Sequence, residues 1–311
     1  MPRVAFVFPG QGSQAVGMGR PWVDAFAGAR EVFRAADEAL GLELSTLCWE
    51  GPAADLQLTA NTQPAILTAS LAVHAAVAER GLEPVLMAGH SLGEYSALVA
   101  AGALDFADAV RLVRRRGQLM QEAVPVGEGA MAAILGLDEE AVRRITAEAA
   151  GDEVCAVANL NSPVQTVIAG HAAAVERAME LAGAAGARGV IPLAVSAPFH
   201  SPLMAPARAG LEPRLAATDF RDPAVPVVTN IDARPAASAA AARDALARQI
   251  DGPVRWVESI RWMIDEGGVD AFVEIGPGAV LSGLIRRIER GVTAISVAVP
   301  DDLAKLAELE A

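Results

Sequence analysis

The feature that most constrains the fold of this chain is an alternation of short apolar runs with helix-length segments. Residues 3–8 form an apolar run that ends at Pro9-Gly10, and residues 85–88 form a second run before Gly89. Residues 23–40, 64–80, 93–101 and 106–122 are predicted helices, because their apolar residues recur with helical spacing or lie between helix-ending residues. Buried strands that alternate with helices predict an α/β fold with a parallel sheet covered on both faces.

The middle of the chain follows a different order. Strands are predicted at 130–135, 154–159, 164–169 and 189–193, and helices at 138–149 and 172–185. This βαββαβ order is the ferredoxin-like pattern. Gly127 and Gly129 on one side and Pro198 on the other are candidate hinges. We therefore predict a small domain of residues 127–195 inserted into a large α/β domain of residues 1–126 and 196–311.

The α/β pattern resumes after the insertion, and the composition excludes several classes of protein. Strands are predicted at 225–229, 271–275 and 293–297, with helices near 239–249, 257–266 and 278–287. A 53% hydrophobic content excludes a disordered chain, yet no run of about 18 strongly apolar residues occurs. The net charge of −13 argues against nucleic acid and anionic membrane as partners.

The cysteines and the N-terminal residues predict a compartment. Cys48 and Cys155 cannot form a disulfide framework, and neither has the spacing of a metal ligand. The first residues lack the pattern of a signal peptide. We therefore expect the protein in the reducing cytoplasm.

The sharpest chemical signal is Gly89-His90-Ser91-Leu92-Gly93, which matches the nucleophile elbow G-x-S-x-G. A predicted strand precedes it and a predicted helix follows, as that motif requires. Ser91 is thus a candidate nucleophile, and the backbone N–H of Leu92 is a candidate donor to an oxyanion. The alternative is a serine that only caps the helix after a βα loop.

A nucleophilic serine needs a base, and the chain has four histidines. His74 lies within a predicted helix, His90 adjoins the serine where side chains diverge, and His171 sits where a helix cap explains it. His200 follows a predicted strand and lies between two prolines, so it is the best partner for Ser91. Between these two residues no acidic residue stands out in a loop after a strand, so we expect a pair oriented by something other than a carboxylate.

A glycine-rich loop after the first strand allows two interpretations. Residues 10–15 fit G-x-G-x-x-[GA], with Glu31 near the spacing of the acidic partner in dinucleotide-binding folds. That match alone would suggest a nicotinamide-dependent oxidoreductase. The same loop could instead present backbone N–H groups that supply a second oxyanion donor beside Leu92.

Together these segments resemble the malonyl-CoA:acyl-carrier-protein transacylase family, and they are similar to the acyltransferase domains of polyketide synthases. The residues that carry the resemblance span nearly the whole chain and lie at 8–14, 62–65, 89–97, 116–121, 161–163, 199–204, 249, 253–256 and 274–278. The resemblance implies an α/β-hydrolase-like core with a ferredoxin-like subdomain. It also implies a monomer without a metal or a permanently bound cofactor, whose substrates are malonyl-CoA and the phosphopantetheine arm of acyl carrier protein.

The resemblance further implies a ping-pong mechanism. Ser91 would attack the thioester while His200 takes its proton, and the backbone N–H groups of Gln11 and Leu92 would hold the oxyanion. The glutamine that matches Gln249 lies beside the histidine in the family, which fits the missing carboxylate.

Two more residues would set the substrate. Arg116 matches the family's arginine, and a planar guanidinium can hold the malonyl carboxylate with two parallel bonds. Its position in Arg114-Arg115-Arg116 leaves a solvated helix face as the alternative. Phe199 resembles the residue of malonyl-selective enzymes and would crowd an α-methyl branch, although a purely packing role is the alternative.

Several other functions remain open at this point. They are a polyketide-type acyltransferase with another extender unit, a serine hydrolase or thioesterase with the same Ser-His pair, the oxidoreductase, and a non-catalytic module that binds acyl carrier protein. An acidic carrier would need a local basic patch on this acidic chain. Arg286, Arg287 and Arg290, or Arg114 and Arg115, are the candidates.

Overall fold

The computed structural model describes residues 2–195 and 197–310. The strands in these ranges are β1 (Val4–Phe8), β2 (Leu86–Gly89), β3 (Gly129–Leu135), β4 (Cys155–Ser162), β5 (Gln165–His171), β6 (Gly189–Pro192), β7 (Val227–Val228), β8 (Ala271–Ile275) and β9 (Thr293–Val297). The helices are α1 (Arg20–Ala25), α2 (Ala27–Leu40), α3 (Leu44–Glu50), α4 (Ala53–Gln57), α5 (Thr59–Ala78), α6 (Gly93–Ala100), α7 (Phe106–Glu122), α8 (Glu139–Ala150), α9 (Ala172–Ala184), α10 (Ala205–Ala217), α11 (Ala239–Gln249), α12 (Trp256–Asp265), α13 (Val280–Ile288) and α14 (Ala307–Glu310).

The large sheet is parallel and buried. Its strand order over the described residues is β7-β2-β1-β8-β9, and every residue of β1 is buried. Phe6 and Phe8 point into the apolar cluster formed with α2, α5 and α7, whereas Ala5 and Val7 point into the cluster formed with α12 and α13. Since successive side chains of a strand face opposite sides, this apolar run covers both faces.

The middle of the chain forms a separate antiparallel sheet in the order β4-β5-β3-β6, counted over the described residues. Helices α8 and α9 pack on it through their own apolar cluster. The predicted α/β class with a ferredoxin-like βαββαβ part is therefore confirmed. The domain division at 126/127 and 195/196 stays a prediction, and Ser196, Met1 and Ala311 lie outside the described residues.

Two predicted helix boundaries are wrong, for local reasons. The predicted helix 23–40 is interrupted at Phe26, whose backbone is extended between α1 and α2. The predicted helix 64–80 begins earlier, at Thr59, so Pro64 lies inside α5. Proline has no N–H to donate to the carbonyl of Ala60, and the guanidinium of Arg114 donates to that oxygen at 3.1 Å instead.

The sequence interpretation missed α3, α4 and α10. The last contains two prolines, which obscure its helical signal. No helix within residues 2–195 and 197–310 is long and apolar enough to cross a bilayer.

Candidate active site

The loop between β2 and α6 is a tight turn that Gly89 and Gly93 make possible. A Cβ on Gly89 would lie 1.8 Å from the carbonyl carbon of Gly93, and one on Gly93 would lie 2.0 Å from the carbonyl oxygen of Phe8. The helix therefore crosses directly over the ends of β2 and β1. Ser91 has φ 51° between these glycines. A non-glycine residue in this region costs about 1–3 kcal/mol, which the surrounding structure must offset.

Ser91 and His200 form a hydrogen-bonded pair. His200 Nε2 lies 2.7 Å from Ser91 Oγ, and His200 Nδ1 lies 2.8 Å from the backbone carbonyl oxygen of Gln249. A carbonyl oxygen can only accept, so Nδ1 carries the proton and Nε2 is left to accept from the serine hydroxyl. The group that orients the histidine is thus a main-chain carbonyl, in line with the expectation of a partner other than a carboxylate.

The protonation state of His200 suits a base. The imidazole is buried, with 4% of the residue exposed. Burial and, next, the positive charge of Arg116 lower its pKa to about 3. At neutral pH the ring is therefore neutral.

Arg116 is a buried cation placed beside Ser91. Only 1% of the residue is exposed, which excludes the solvated helix face considered above. Its Nη2 donates to Ser91 Oγ at 3.1 Å and to Gln249 Oε1 at 3.0 Å, and its Nη1 donates to Gln63 Oε1 at 2.9 Å. Each of these acceptors is a neutral oxygen, and burial lowers the pKa of the guanidinium. A carboxylate that reached this group would meet a cation whose direct hydrogen-bond partners are all neutral.

The next residue along α7 explains how Arg116 reaches this place. A Cβ on Gly117 would lie 2.6 Å from the carbonyl oxygen of Thr59. Glycine thus lets α7 approach the first turn of α5 closely. Gln63, which accepts from Arg116, lies in the next turn of α5.

Buried polar side chains hold the turn of residues 89–93 in place through hydrogen bonds to its backbone. Asn230 accepts from the backbone N–H of Ser91 at 2.6 Å and donates to the carbonyl of Gly89 at 2.7 Å. Gln249 Nε2 donates to the carbonyl of Ser91 at 3.0 Å and to Glu94 Oε2 at 2.8 Å. Gln249, Glu94 and Asn230 are all fully buried.

The predicted oxyanion donors face the same pocket. Gln11 follows β1 and Leu92 precedes α6, and both line one pocket together with Ser91 and His200. Among the hydrogen bonds of residues 2–195 and 197–310, neither backbone N–H donates to a protein acceptor. A Cβ on Gly10 would lie 2.4 Å from the carbonyl oxygen of His90, so this loop packs directly on the elbow. The arrangement favours an oxyanion site over a dinucleotide site, because the first helix begins only at Arg20.

Comparison with known proteins identifies the family. The acyl transferase domain family matches residues 5–300. The chain belongs to this family. It is 50% identical over 304 residues to the malonyl CoA-acyl carrier protein transacylase of Bacillus subtilis, covering 97% of this chain and 96% of that protein. It is also 50% identical over 310 residues to the enzyme of the same name from Escherichia coli, covering 99% of this chain and 100% of that one.

Solved structures show the same relationship. An acyl carrier protein S-malonyltransferase from Vibrio cholerae superposes with a TM-score of 0.95 at 47% identity, covering 98% of this chain and 99% of that one. A malonyl-transacylase in complex with its type II polyketide acyl-carrier protein superposes with a TM-score of 0.96 at 47% identity, covering 99% of each chain.

Apolar side chains from both parts of the fold form the walls of this acyl transferase pocket. Phe199, with 7% of its surface exposed, lines the pocket together with Ser91 and His200, and Met120 comes from α7. Met131 of β3 and Leu193, which follows β6, close the side that belongs to the antiparallel sheet. The acyl group would therefore sit between the two parts of the acyl transferase fold.

The other histidines of this acyl transferase have structural partners. His90 lies 2.8 Å from Asn161 Oδ1, and His74 packs against the rings of Phe6 and Phe8. His171 ends β5 and directly precedes α9. Its Nδ1 accepts from the N–H of Val154 at 2.9 Å, so its side chain does not cap the helix as expected. Within the described ranges no group of three His, Cys, Asp or Glu side chains could hold a metal ion.

Proposed function

We propose that this chain transfers a malonyl group from malonyl-CoA to the phosphopantetheine thiol of acyl carrier protein through an ester on Ser91. The observation that carries the proposal is the buried guanidinium of Arg116, whose Nη2 lies 3.1 Å from Ser91 Oγ. A cation beside the nucleophile suits an acyl group that itself bears a carboxylate. The names of the relatives support the same substrates.

In the first half-reaction Ser91 Oγ attacks the thioester carbonyl as its proton moves to His200 Nε2. The N–H groups of Gln11 and Leu92 stabilise the negative charge on the carbonyl oxygen. The carbon–sulfur bond then breaks, and His200 returns the proton to the departing sulfur of coenzyme A. In the second half-reaction the thiol of the carrier's arm attacks the malonyl-Ser91 ester by the same route, and the serine is regenerated.

Arg116 sets the preference for malonyl in this proposal. Its Nη atoms would hold the carboxylate with two parallel bonds, and one of them would replace the bond to Ser91 Oγ. An acetyl group supplies no such acceptor, so the buried guanidinium gains no directly bonded anion. Phe199 would crowd an α-methyl branch, so malonyl is favoured over methylmalonyl.

The test is the intact mass of the protein after exposure to malonyl-, methylmalonyl- and acetyl-CoA, with Ser91→Ala as the control. We expect a long-lived malonyl adduct that Ser91→Ala lacks and that acyl carrier protein removes. Rapid release of free malonate without a carrier would identify a hydrolase instead. Absence of any adduct would refute the proposal.

The carrier and the compartment follow as proposals. A type II polyketide carrier is an alternative to a fatty-acid carrier, because one structural relative is seen with such a protein. Comparing transfer rates to the two carriers decides between them. The cytoplasm is the proposed location, since Cys48 and Cys155 are free thiols, which a reducing compartment maintains.

Acyl carrier protein is expected to dock near α13. Arg286, Arg287 and Arg290 are exposed there; Arg286 donates to the carbonyl of Ala294, and Arg287 donates to the neutral Gln165 Oε1 at 3.4 Å. In the other predicted patch the guanidinium of Arg114 is held by the carbonyl of Ala60, and Arg115 lies 3.7 Å from Glu122. The α13 arginines are therefore the freer cations for an acidic partner.

A further inference from the structure

Glu94, in the first turn of α6, is a buried carboxylate that the proposed mechanism does not use. The residue is 0% exposed. Its Oε2 accepts from the backbone N–H of Asn230 and from Gln249 Nε2, both at 2.8 Å. Its Oε1 is buried without a hydrogen-bond partner. A half-satisfied carboxylate inside a protein is costly and needs a reason.

The hydrogen bonds of Glu94 orient the side chain of Gln249. Oε2 accepts whether the carboxyl group is charged or neutral, so it always attracts the NH2 end of the amide. The other end, Oε1, then faces Arg116 Nη2 at 3.0 Å. Glu94 therefore positions the guanidinium through Gln249 without touching the substrate.

Arg116 favours the charged form of Glu94, in addition to the hydrogen bonds from Asn230 and Gln249. The titratable groups around the carboxyl group are Arg116 from α7, Tyr95 from its own helix, Asp232 from the loop after β7, and His200 beyond Gln249. Asp232 is anionic and pairs with Arg248 at 2.7 Å, while burial raises the pKa of Tyr95 and lowers that of His200, so these two are neutral. Arg116 is the cation among them that stabilises a negative Glu94.

Burial raises the pKa of the Glu94 carboxyl group to about 7, although the hydrogen bonds from Asn230 and Gln249 and the charge of Arg116 oppose this rise. The group is thus poised between its two states near neutral pH. A second negative charge beside Arg116 would favour the neutral state, because like charges in a buried site disfavour each other's ionisation.

We propose that the carboxylate of the bound acyl group displaces Glu94 as the counter-charge of Arg116, and that Glu94 then takes up one proton from solvent on its unpartnered Oε1. No bond to carbon changes in this step. One buried guanidinium thereby serves two carboxylates in turn, and the site keeps a near-constant net charge. The inference rests on the proposed function, because it requires an acyl group with a carboxylate at Arg116.

The test is isothermal titration calorimetry of Ser91→Ala with malonyl-CoA at about pH 8, in two buffers whose ionisation enthalpies differ. This variant binds the substrate without reacting. We expect the measured heat to differ between the buffers in proportion to uptake of a fraction of one proton. Acetyl-CoA is the matched ligand control, since it carries the same phosphates without the carboxylate, and it should show no such uptake.

Ser91→Ala with Glu94→Gln is the matched protein control. The glutamine side-chain oxygen can accept the same two hydrogen bonds but cannot gain the proton, so uptake with malonyl-CoA should vanish. Equal uptake in both variants, or none in Ser91→Ala, would overturn the inference.

A second measurement needs only the single variant. The dissociation constant of malonyl-CoA for Ser91→Ala should rise above pH 7, by up to about tenfold per pH unit, while that of acetyl-CoA stays flat. A malonyl-CoA affinity independent of pH would contradict the inference. The proposed function fails separately, if wild-type protein forms no malonyl adduct.

Discussion

Replacing Arg116 with alanine should remove the preference for malonyl over acetyl. Two charge-assisted hydrogen bonds to the malonyl carboxylate are each worth about 1.5–3 kcal/mol. Their loss should lower kcat/KM for malonyl-CoA by roughly 10²–10⁴-fold, since about 1.4 kcal/mol corresponds to a factor of ten. Acetyl-CoA makes neither bond, so its kcat/KM should change little or rise.

The same substitution disturbs the protein itself. The Oε1 atoms of Gln63 and Gln249 now accept from Arg116 at 2.9 and 3.0 Å, and both would lose a buried donor. Each unsatisfied acceptor costs about 1–3 kcal/mol of stability. A fall in malonyl transfer alone would therefore not distinguish a lost clamp from a partly unfolded enzyme.

The ratio of kcat/KM for malonyl-CoA to that for acetyl-CoA separates the two effects, because the folded fraction cancels. The assay is acyl transfer from each thioester to the same carrier protein. Arg115→Ala is the matched control, since Arg115 is the preceding residue of α7, is 40% exposed and lies 3.7 Å from Glu122. Its ratio should equal that of wild type. An unchanged ratio in Arg116→Ala would refute the role of the guanidinium as a carboxylate clamp.

Four further predictions address the rest of the molecule. Gly93→Ala should lower the thermal midpoint and abolish acylation, because its Cβ would lie 2.0 Å from a carbonyl oxygen; Gly183→Ala, with no heavy atom within 4 Å, should instead stabilise by about 0.5–1 kcal/mol. The pKa of His200 is about 3 when folded and near 6.5 when unfolded. His200 should therefore remain a neutral base well below pH 6.5, and the single-turnover rate of acylation should not fall at that pH. For the same reason the contribution of neutral His200 to the free energy of unfolding is full above about pH 6.5 and is lost as the pH falls toward 3, which denaturant unfolding at several pH values would measure. A fall in the acylation rate centred on pH 6.5 would contradict the lowered pKa. Phe199→Ala should raise methylmalonyl relative to malonyl transfer by a factor equivalent to about 1–3 kcal/mol, and equal discrimination would assign Phe199 to packing alone. Arg287→Glu should raise KM for acyl carrier protein but not for malonyl-CoA, and an unchanged carrier KM would remove α13 from the docking surface.

The sequence predicted the sheets well because buried strands and their turns leave local signals. The apolar run of β1 and the turn with two glycines around Ser91 can both be predicted from the local sequence alone. Helix boundaries depended on distant groups. The start of α5 before Pro64 is compatible with helix because Arg114, on another helix, donates to the carbonyl that the proline leaves unpaired. No pattern within residues 59–78 predicts that Arg114 will supply this hydrogen bond.

The sequence pointed to the two side chains that the structure brings into hydrogen-bond contact, and it missed the residues that hold them in place. Ser91 and His200 were accessible from a motif and from elimination among four histidines. The group that orients His200 is a backbone carbonyl, which carries no residue signature. Gln63 and Glu94 stood within the matched segments without an assigned role. Asn230 directly follows the predicted strand 225–229, but a lone asparagine after a strand carries no signature of a supporting hydrogen bond.

The arginines of the chain fall into two groups, those exposed on the surface and the buried Arg116, whose electrostatic effects differ in strength. Of the 25 basic residues 24 are arginine, and many of these pair with nearby carboxylates on the surface, as Arg34 does with Glu31 at 2.7 Å and Arg143 with Glu139 at 2.7 Å. Such exposed pairs contribute little energy and are screened by salt. Arg116 is buried among neutral oxygens, where the low dielectric makes its field strong and short in range. A chain of net charge −13 can therefore repel anions on average and still select an anionic acyl group in the proposed mechanism, because the proposed contact lies within hydrogen-bond distance of one guanidinium.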